Sequence, residues 1–218
     1  MSIELAGSVA PVYEHRLDHD WGLALGEGSR FFEERSEVQD TLHKVSRRLA
    51  DLGVPYAVAG GMALFKHGFR RFTEDVDILV TREGLKTIHE RLEGLGYIPP
   101  FTGSKNLRDT EHGVRIEFLI AGDFPGDGKP KPVAFPDPAE VGVELDGIRY
   151  LALPTLVQLK LASGMTGGVA RLKDFADVVA LIQTLKLPVE YADQLHPYVR
   201  DRYLELWNGL QESPTEVE

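Results

Sequence analysis

The sequence predicts an α+β fold: a mixed β-sheet with flanking helices and a helical C-terminal part. Three observations carry that reading. Short apolar runs alternate with segments of helical period through the first half of the chain, two turn signals mark hairpins in the middle, and only helical patterns follow Pro154. In order, residues 1–34 mix glycine, charge and aromatic side chains without a period and read as an N-terminal arm. Ser36-Glu37-Val38-Gln39 has the form of a capping box, and Val38, Leu42, Val45 and Leu49 then follow at helical spacing, stopped by Gly53 and Pro55. Residues 56–59 form a short strand that runs into Gly60-Gly61, residues 62–67 a short helix, 76–81 a strand and 83–95 a helix. Residues 105–110 and 114–120 flank the turn-like Glu111-His112-Gly113. A loop is expected over 122–138, which holds five Pro and three Gly. Residues 141–145 and 148–151 flank Asp146-Gly147, a strong hairpin signal. Pro154 opens a helix to about residue 163, and helices follow over about 169–185 and 197–210. The division expected is an arm over 1–34, a core over 35–152, a helical region over 153–211 and a disordered acidic tail over 212–218.

Composition excludes several classes of function. The chain has 218 residues, with 24 basic and 34 acidic side chains and a formal charge of −10. A long, non-specific grip on DNA needs clustered Lys and Arg and is not expected from such a balance. The absence of Cys rules out disulfides, thiolate nucleophiles and Cys-ligated metals. Neither a signal peptide nor an apolar run of about 20 residues is present, so no membrane partner and a cytoplasmic location are expected. His15 and His19 stand four apart, a spacing that suits a metal on a helix, but no third ligand accompanies them.

The chemistry concentrates in carboxylates. Asp75 and Asp77 lie two apart at a strand start, so they share one face while Val76 and Ile78 face the core. Two neighbouring carboxylates repel, and a divalent cation between them relieves the repulsion; Mg²⁺ held by carboxylates and substrate phosphates is the usual arrangement. Along 114–120, Val114, Ile116, Phe118 and Ile120 alternate inward, so Glu117 projects to the other face. If the two strands are neighbours, three carboxylates converge as a two-metal phosphoryl or nucleotidyl transfer site requires. A solvated strand edge reads the same way until Gly60-Gly61 is added, because a glycine pair between strand and helix lets backbone approach a phosphate. Residues 64–73 add three bases, Lys66, Arg70 and Arg71, and no acid.

The run Gly60-Gly61, then Arg71-Phe72-Thr73-Glu74-Asp75-Val76-Asp77, resembles the nucleotidyltransferase superfamily that includes DNA polymerase β, and within it the bacterial AbiEii-type toxins and related small nucleotidyltransferases. The resemblance spans roughly residues 49–185 and includes Lys160 and Arg171-Leu172-Lys173-Asp174-Phe175-Ala176-Asp177. It implies a nucleotidyltransferase-type mixed sheet and the transfer of an NMP from an NTP to an acceptor hydroxyl with Mg²⁺, two ions when NTP is bound. The metals would be held by Asp75, Asp77 and Glu117, which form the catalytic set, and the nucleotide by Gly60, Gly61, Lys66, Arg71, Thr73, Lys160 and Lys173. The acceptor is open among an RNA or tRNA end, a protein side chain and a small molecule such as an aminoglycoside. A toxin–antitoxin role with an antitoxin or operon partner follows from the same resemblance. Gly61 stands where many members have Ser, and Glu117 where many have Asp, one methylene shorter. Those departures leave two alternatives, a non-catalytic binding or regulatory relative and a phosphohydrolase using the same carboxylates. For Lys160 a snorkelling helix residue, and for Arg171 and Asp174 an exposed ion pair, are the plainer readings.

Overall fold

A computed structural model describes residues 9–212 of the chain. In chain order the elements are α1 (Tyr13–His19), α2 (Trp21–Phe32), α3 (Glu37–Asp51), β1 (Tyr56–Val58), α4 (Gly60–Lys66), β2 (Asp75–Val80), α5 (Arg82–Leu92), β3 (Tyr97–Ile98), β4 (Leu107–Asp109) and β5 (Arg115–Ile120). There follow α6 (Pro138–Val141), β6 (Gly142–Leu145), β7 (Ile148–Leu151), α7 (Leu153–Thr166), α8 (Leu172–Leu185) and α9 (Pro197–Glu212), with 3₁₀ turns at Gly168–Arg171 and Val189–Gln194. The strands form one mixed sheet in the order β3-β4-β5-β2-β1-β7-β6. β2 lies at its centre, antiparallel to β1 and parallel to β5. The expected α+β fold, a mixed sheet with flanking helices and a helical C-terminal part, is what the chain adopts.

Local sequence accounts for the elements that hold the site. The capping box at α3 forms: the Ser36 hydroxyl accepts from the Gln39 N–H, and the Gln39 side chain accepts from the Ser36 N–H. The buried face of α3 carries Val38, Leu42, Val45 and Leu49 and packs on β2, whose Val76, Ile78 and Val80 are fully buried. Alternation in β5 buries Ile116, Phe118 and Ile120 and leaves Arg115, Glu117 and Leu119 on the opposite face. The β6–β7 turn has both central residues, Asp146 and Gly147, at positive φ, the geometry that matches a hairpin's twist. Helices α7, α8 and α9 pack on one another as the C-terminal part.

Four expectations change, the simplest being that a one-turn helix, α6, stands at 138–141, where the end of a loop and the start of a strand were expected. Within the arm over 1–34, the described residues form two helices, α1 and α2, instead of irregular cover. The pattern hid them because α2 contains Gly22, Gly26 and Gly28, each costing a helix about 1 kcal/mol relative to Ala. Tertiary anchors offset that cost: Phe31 is buried, and the buried Tyr13 hydroxyl donates to the buried Glu27 at 3.0 Å. The helix expected from 169 begins instead with the 3₁₀ turn Gly168–Arg171, and β3 was not foreseen because it has two residues. The tail over 212–218 lies outside the described residues except for Glu212, which ends α9. Among the described residues no helix is long and apolar enough to cross a membrane.

Candidate active site

Register, rather than sequence distance, assembles the carboxylates. In the parallel β2–β5 pair Asp75 stands opposite Arg115 and Asp77 opposite Glu117. All four side chains therefore rise from the same face of two adjacent strands. One oxygen from each of Asp75, Asp77 and Glu117 lies within 4.8 Å of the others. Oxygens around an octahedral Mg²⁺ at ~2.1 Å stand roughly 3–4 Å apart, so small side-chain rotations bring this all-oxygen donor set onto a hard divalent ion. The residues fit the metal that the sequence implies. A second grouping, Asp109, Glu111 and His112, is closed by Lys44, whose Nζ donates to Asp109 at 2.6 Å and Glu111 at 3.0 Å.

Burial pushes the Asp77 carboxyl up to about 7, with the charges of Asp75 and Glu117 adding to the rise and Lys160 and Lys173 opposing it. The loop around this residue is built by close approach. Gly60 opens α4 with φ +56°, and a Cβ there would stand 1.7 Å from Asp77 Oδ2. Gly61 lies beneath Thr73, whose Cβ would be 2.6 Å from a Cβ added at 61. The Thr73 hydroxyl in turn donates to Asp75 Oδ1 at 2.7 Å. A side chain at position 61 has no room here, because Thr73 occupies its space.

The carboxylates open into a cleft of about 600 Å³ whose walls include Gly60, Arg71, Thr73, Lys160, Arg171 and Lys173. Lys160 is buried on α7; its Nζ donates to Asp174 Oδ1 at 3.0 Å and Asp177 Oδ2 at 2.6 Å, both on α8. Ser163 donates to Asp174 at 2.7 Å and Arg71 Nε to Asp177 at 2.9 Å. Arg171 and Lys173 are exposed at the rim and make no ion pair among the described residues. Leu119, Phe135, Leu156 and Leu159 supply an apolar part of the wall.

Of the residues singled out from the sequence, Asp75, Asp77 and Glu117 come together, and Gly60, Arg71, Thr73, Lys160 and Lys173 border the same cleft, with Gly61 packed behind Thr73. Lys66 does not join them. It points away at the far end of α4, where its Nζ donates to Glu34 at 2.6 Å and Asp146 at 3.0 Å. The basic run over 64–73 is thus divided: Arg71 borders the cleft, whose other cations, Arg115, Lys160, Arg171 and Lys173, come from β5, α7, the 3₁₀ turn before α8 and α8 itself. Arg115, Ser163, Asp174 and Asp177 were not foreseen as site residues. Acids three apart on an α8 face that is otherwise apolar were the available signal for Asp174 and Asp177.

No family model and no curated protein sequence matches the chain. Solved structures do. A solution structure of the antibiotic-resistance factor ANT(2'')-Ia aligns over 79% of this chain and 96% of its own, at 15% identity and a TM-score of 0.51. A crystal structure of ANT(2'')-Ia in complex with adenylyl-2''-tobramycin aligns over 77% and 97%, at 13% identity and 0.50. An antigenic nucleotidyltransferase-like protein from Paracoccidioides brasiliensis aligns over 82% and 89%, at 16% identity and 0.49. With its carboxylates paired across β2 and β5 and a helical part closing the cleft, the chain has the nucleotidyltransferase fold.

Proposed function

We propose that the chain is a Mg²⁺-dependent nucleotidyltransferase that moves an NMP from an NTP to an acceptor hydroxyl. The observation that carries the reading is the convergence of Asp75, Asp77 and Glu117 on one face of β2 and β5, in a cleft also lined by Arg171 and Lys173, which make no ion pair among the described residues. Asp75, Asp77 and Glu117 would hold the ions, which when bound neutralise phosphate charge and acidify a hydroxyl. Thr73 fixes the rotamer of Asp75, and the missing side chain of Gly60 keeps the Asp77 carboxylate in its place. Lys173 and Arg171 offer charge to a triphosphate at the open rim. Lys160 is engaged by two aspartates, so it braces α7 against α8 and adds positive potential toward Asp77. Catalysis in such a site is chiefly alignment and charge neutralisation.

The acceptor belongs to the same proposal. ANT(2'')-Ia has been crystallised with adenylyl-2''-tobramycin, so a small aminated polyol is the first class to test here, beside an RNA end and a protein hydroxyl. An AbiEii-like toxin role, with an antitoxin as partner, is the further extension. The experiment incubates the full chain with each α-labelled NTP, Mg²⁺ and either a cell extract or an aminoglycoside panel, next to the D75A/D77A double variant. Label appearing on an acceptor with wild type and not with the variant supports the reading. Free phosphate without a labelled acceptor favours a phosphohydrolase, and no labelling with no NTP binding removes the enzymatic reading.

A further inference from the structure

Arg115 stands in the carboxylate cluster, and the chemistry proposed above does not use it. It is the first residue of β5, opposite Asp75 in register and two residues before Glu117. Its Nη2 donates to Asp75 Oδ2 at 3.1 Å, and its Nε lies 3.1 Å from Glu117 Oε1. The second contact is close but misdirected, since that buried Nε has no hydrogen-bond partner among the described residues. An arginine fitted to a carboxylate engages it with two parallel N–H donors. This one spans two carboxylates with a single well-aimed bond. Charge, rather than fit, keeps it there.

A third carboxylate waits on the other side. Glu14 Oε1 lies 3.7 Å from Arg115 Nε, and its Oε2 accepts from Arg108 Nη1 at 2.8 Å. Glu14 is carried by α1, which is fastened to the turn before β5: the Ala10 N–H donates to Thr110 O at 2.9 Å, the Tyr13 N–H to Gly113 O at 3.2 Å and Arg16 Nη2 to His112 O at 2.7 Å. The N-terminal segment thus delivers a fixed negative charge beside the cluster, outside the three oxygens that could share a metal.

We propose that Arg115 is a built-in cation that fills the carboxylate cluster in the metal-free protein, and that Glu14 is the seat to which it moves when a divalent ion binds. The proposal rests on reading Asp75, Asp77 and Glu117 as a divalent-metal site. A guanidinium turned onto Asp75 and Glu117 competes with a divalent ion for their carboxylates, like charge against like charge. Moving to Glu14 keeps the arginine paired and removes a positive charge from the ion's surroundings. Arg115 is 39% exposed and Glu117 32%, so the present pairing is weak enough to exchange. Arg115 is then a positioning residue: without metal it holds Asp75 and Glu117 turned toward each other against their repulsion, and it sets the concentration at which the ion enters. The N-terminal helix shares in that setting through Glu14.

The test measures Mn²⁺ binding to the full chain without nucleotide, by the electron paramagnetic resonance of free Mn²⁺, for wild type, R115M, E14Q and the double variant. Thermal melts without metal establish that each is folded, and Gln at 14 can still accept from Arg108. R115M is expected to bind Mn²⁺ about three- to tenfold tighter, the scale of one or two half-exposed ion pairs. E14Q should bind severalfold more weakly than wild type, and the same change on the R115M background should shift affinity by less than about twofold. Equal or weaker binding by R115M overturns the proposal, and so does an E14Q effect of the same size in both backgrounds. If folded wild type takes up no Mn²⁺ at all, the metal-site reading beneath the proposal fails first.

Discussion

Gly60 has no side chain because Asp77 fills the space one would need, and its φ of +56° would strain any other residue by about 1–2 kcal/mol. G60A should therefore do two separable things. It should lower stability by about that amount in urea unfolding, and by pushing the Asp77 carboxylate aside it should lower nucleotidyl transfer by about a hundredfold or more. Normal transfer in a folded G60A protein would contradict the role given to this contact. Asp77 supplies a second prediction. Its carboxyl, raised from 3.8 to about 7 by burial beside Asp75 and Glu117, holds a proton in the folded chain that the unfolded chain releases. An acid with a raised folded pKa binds more protons when folded, so the stability it contributes is lost as pH climbs from about 4 to about 7. The metal-free D77N protein should gain more in melting temperature over wild type at pH 8 than at pH 4.5, and Mg²⁺ at pH 8 should raise the melting temperature of wild type and not of D77N. The three carboxylates were legible in the sequence because strand parity fixes which face each occupies. Arg115 shares that parity with Glu117, yet nothing in the sequence says that it lies opposite Asp75; that is a fact of the β2–β5 register.

At the scale of elements, α7 and α8 are joined by charges in a place where apolar side chains would be expected. Lys160 is 8% exposed, Asp174 5% and Asp177 4%, and Ser163 and Arg71 complete their hydrogen bonds. Removing one partner from such a group leaves uncompensated buried charge, so K160M should cost about 3–5 kcal/mol in chemical denaturation. A cost near zero would mean that water reaches the pair and that Lys160 is free for a phosphate. These helices were legible through Pro154 and helical spacing, but their pairing was not, because a lysine on one helix and two aspartates on another carry no sign of facing each other. The opposite happened with α2, where three glycines erased the helical signal that Phe31 and Glu27 restore by packing. The capping box of α3 and the Asp146-Gly147 hairpin were read directly, since both are written within four residues and need no distant partner.

For the whole molecule, the charge of −10 has to be weighed against where the positive groups stand. Lys66 is paired with Glu34 and Asp146 and Arg71 with Asp177, which leaves Arg171 and Lys173 at the rim of the cleft that the three carboxylates also line. Such a molecule is suited to holding one triphosphate and its counter-ions in a confined place, and poorly suited to tracking a long polyanion. Raising salt should therefore weaken nucleotide binding modestly, with a slope of log affinity against log salt far below that of a protein making six or more phosphate contacts. A steep slope would point to an extended nucleic-acid surface instead. The central claim is that Asp75, Asp77 and Glu117 form the metal site of a nucleotide-binding cleft. A crystal of the full chain grown with Mn²⁺ and a non-hydrolysable NTP tests it most directly. The account predicts anomalous scattering from Mn²⁺ within about 2.1–2.3 Å of Asp75 and Asp77 oxygens, with the triphosphate reaching toward Lys173. Manganese found only at Asp109, Glu111 and His112, or a nucleotide bound away from β2, would contradict it.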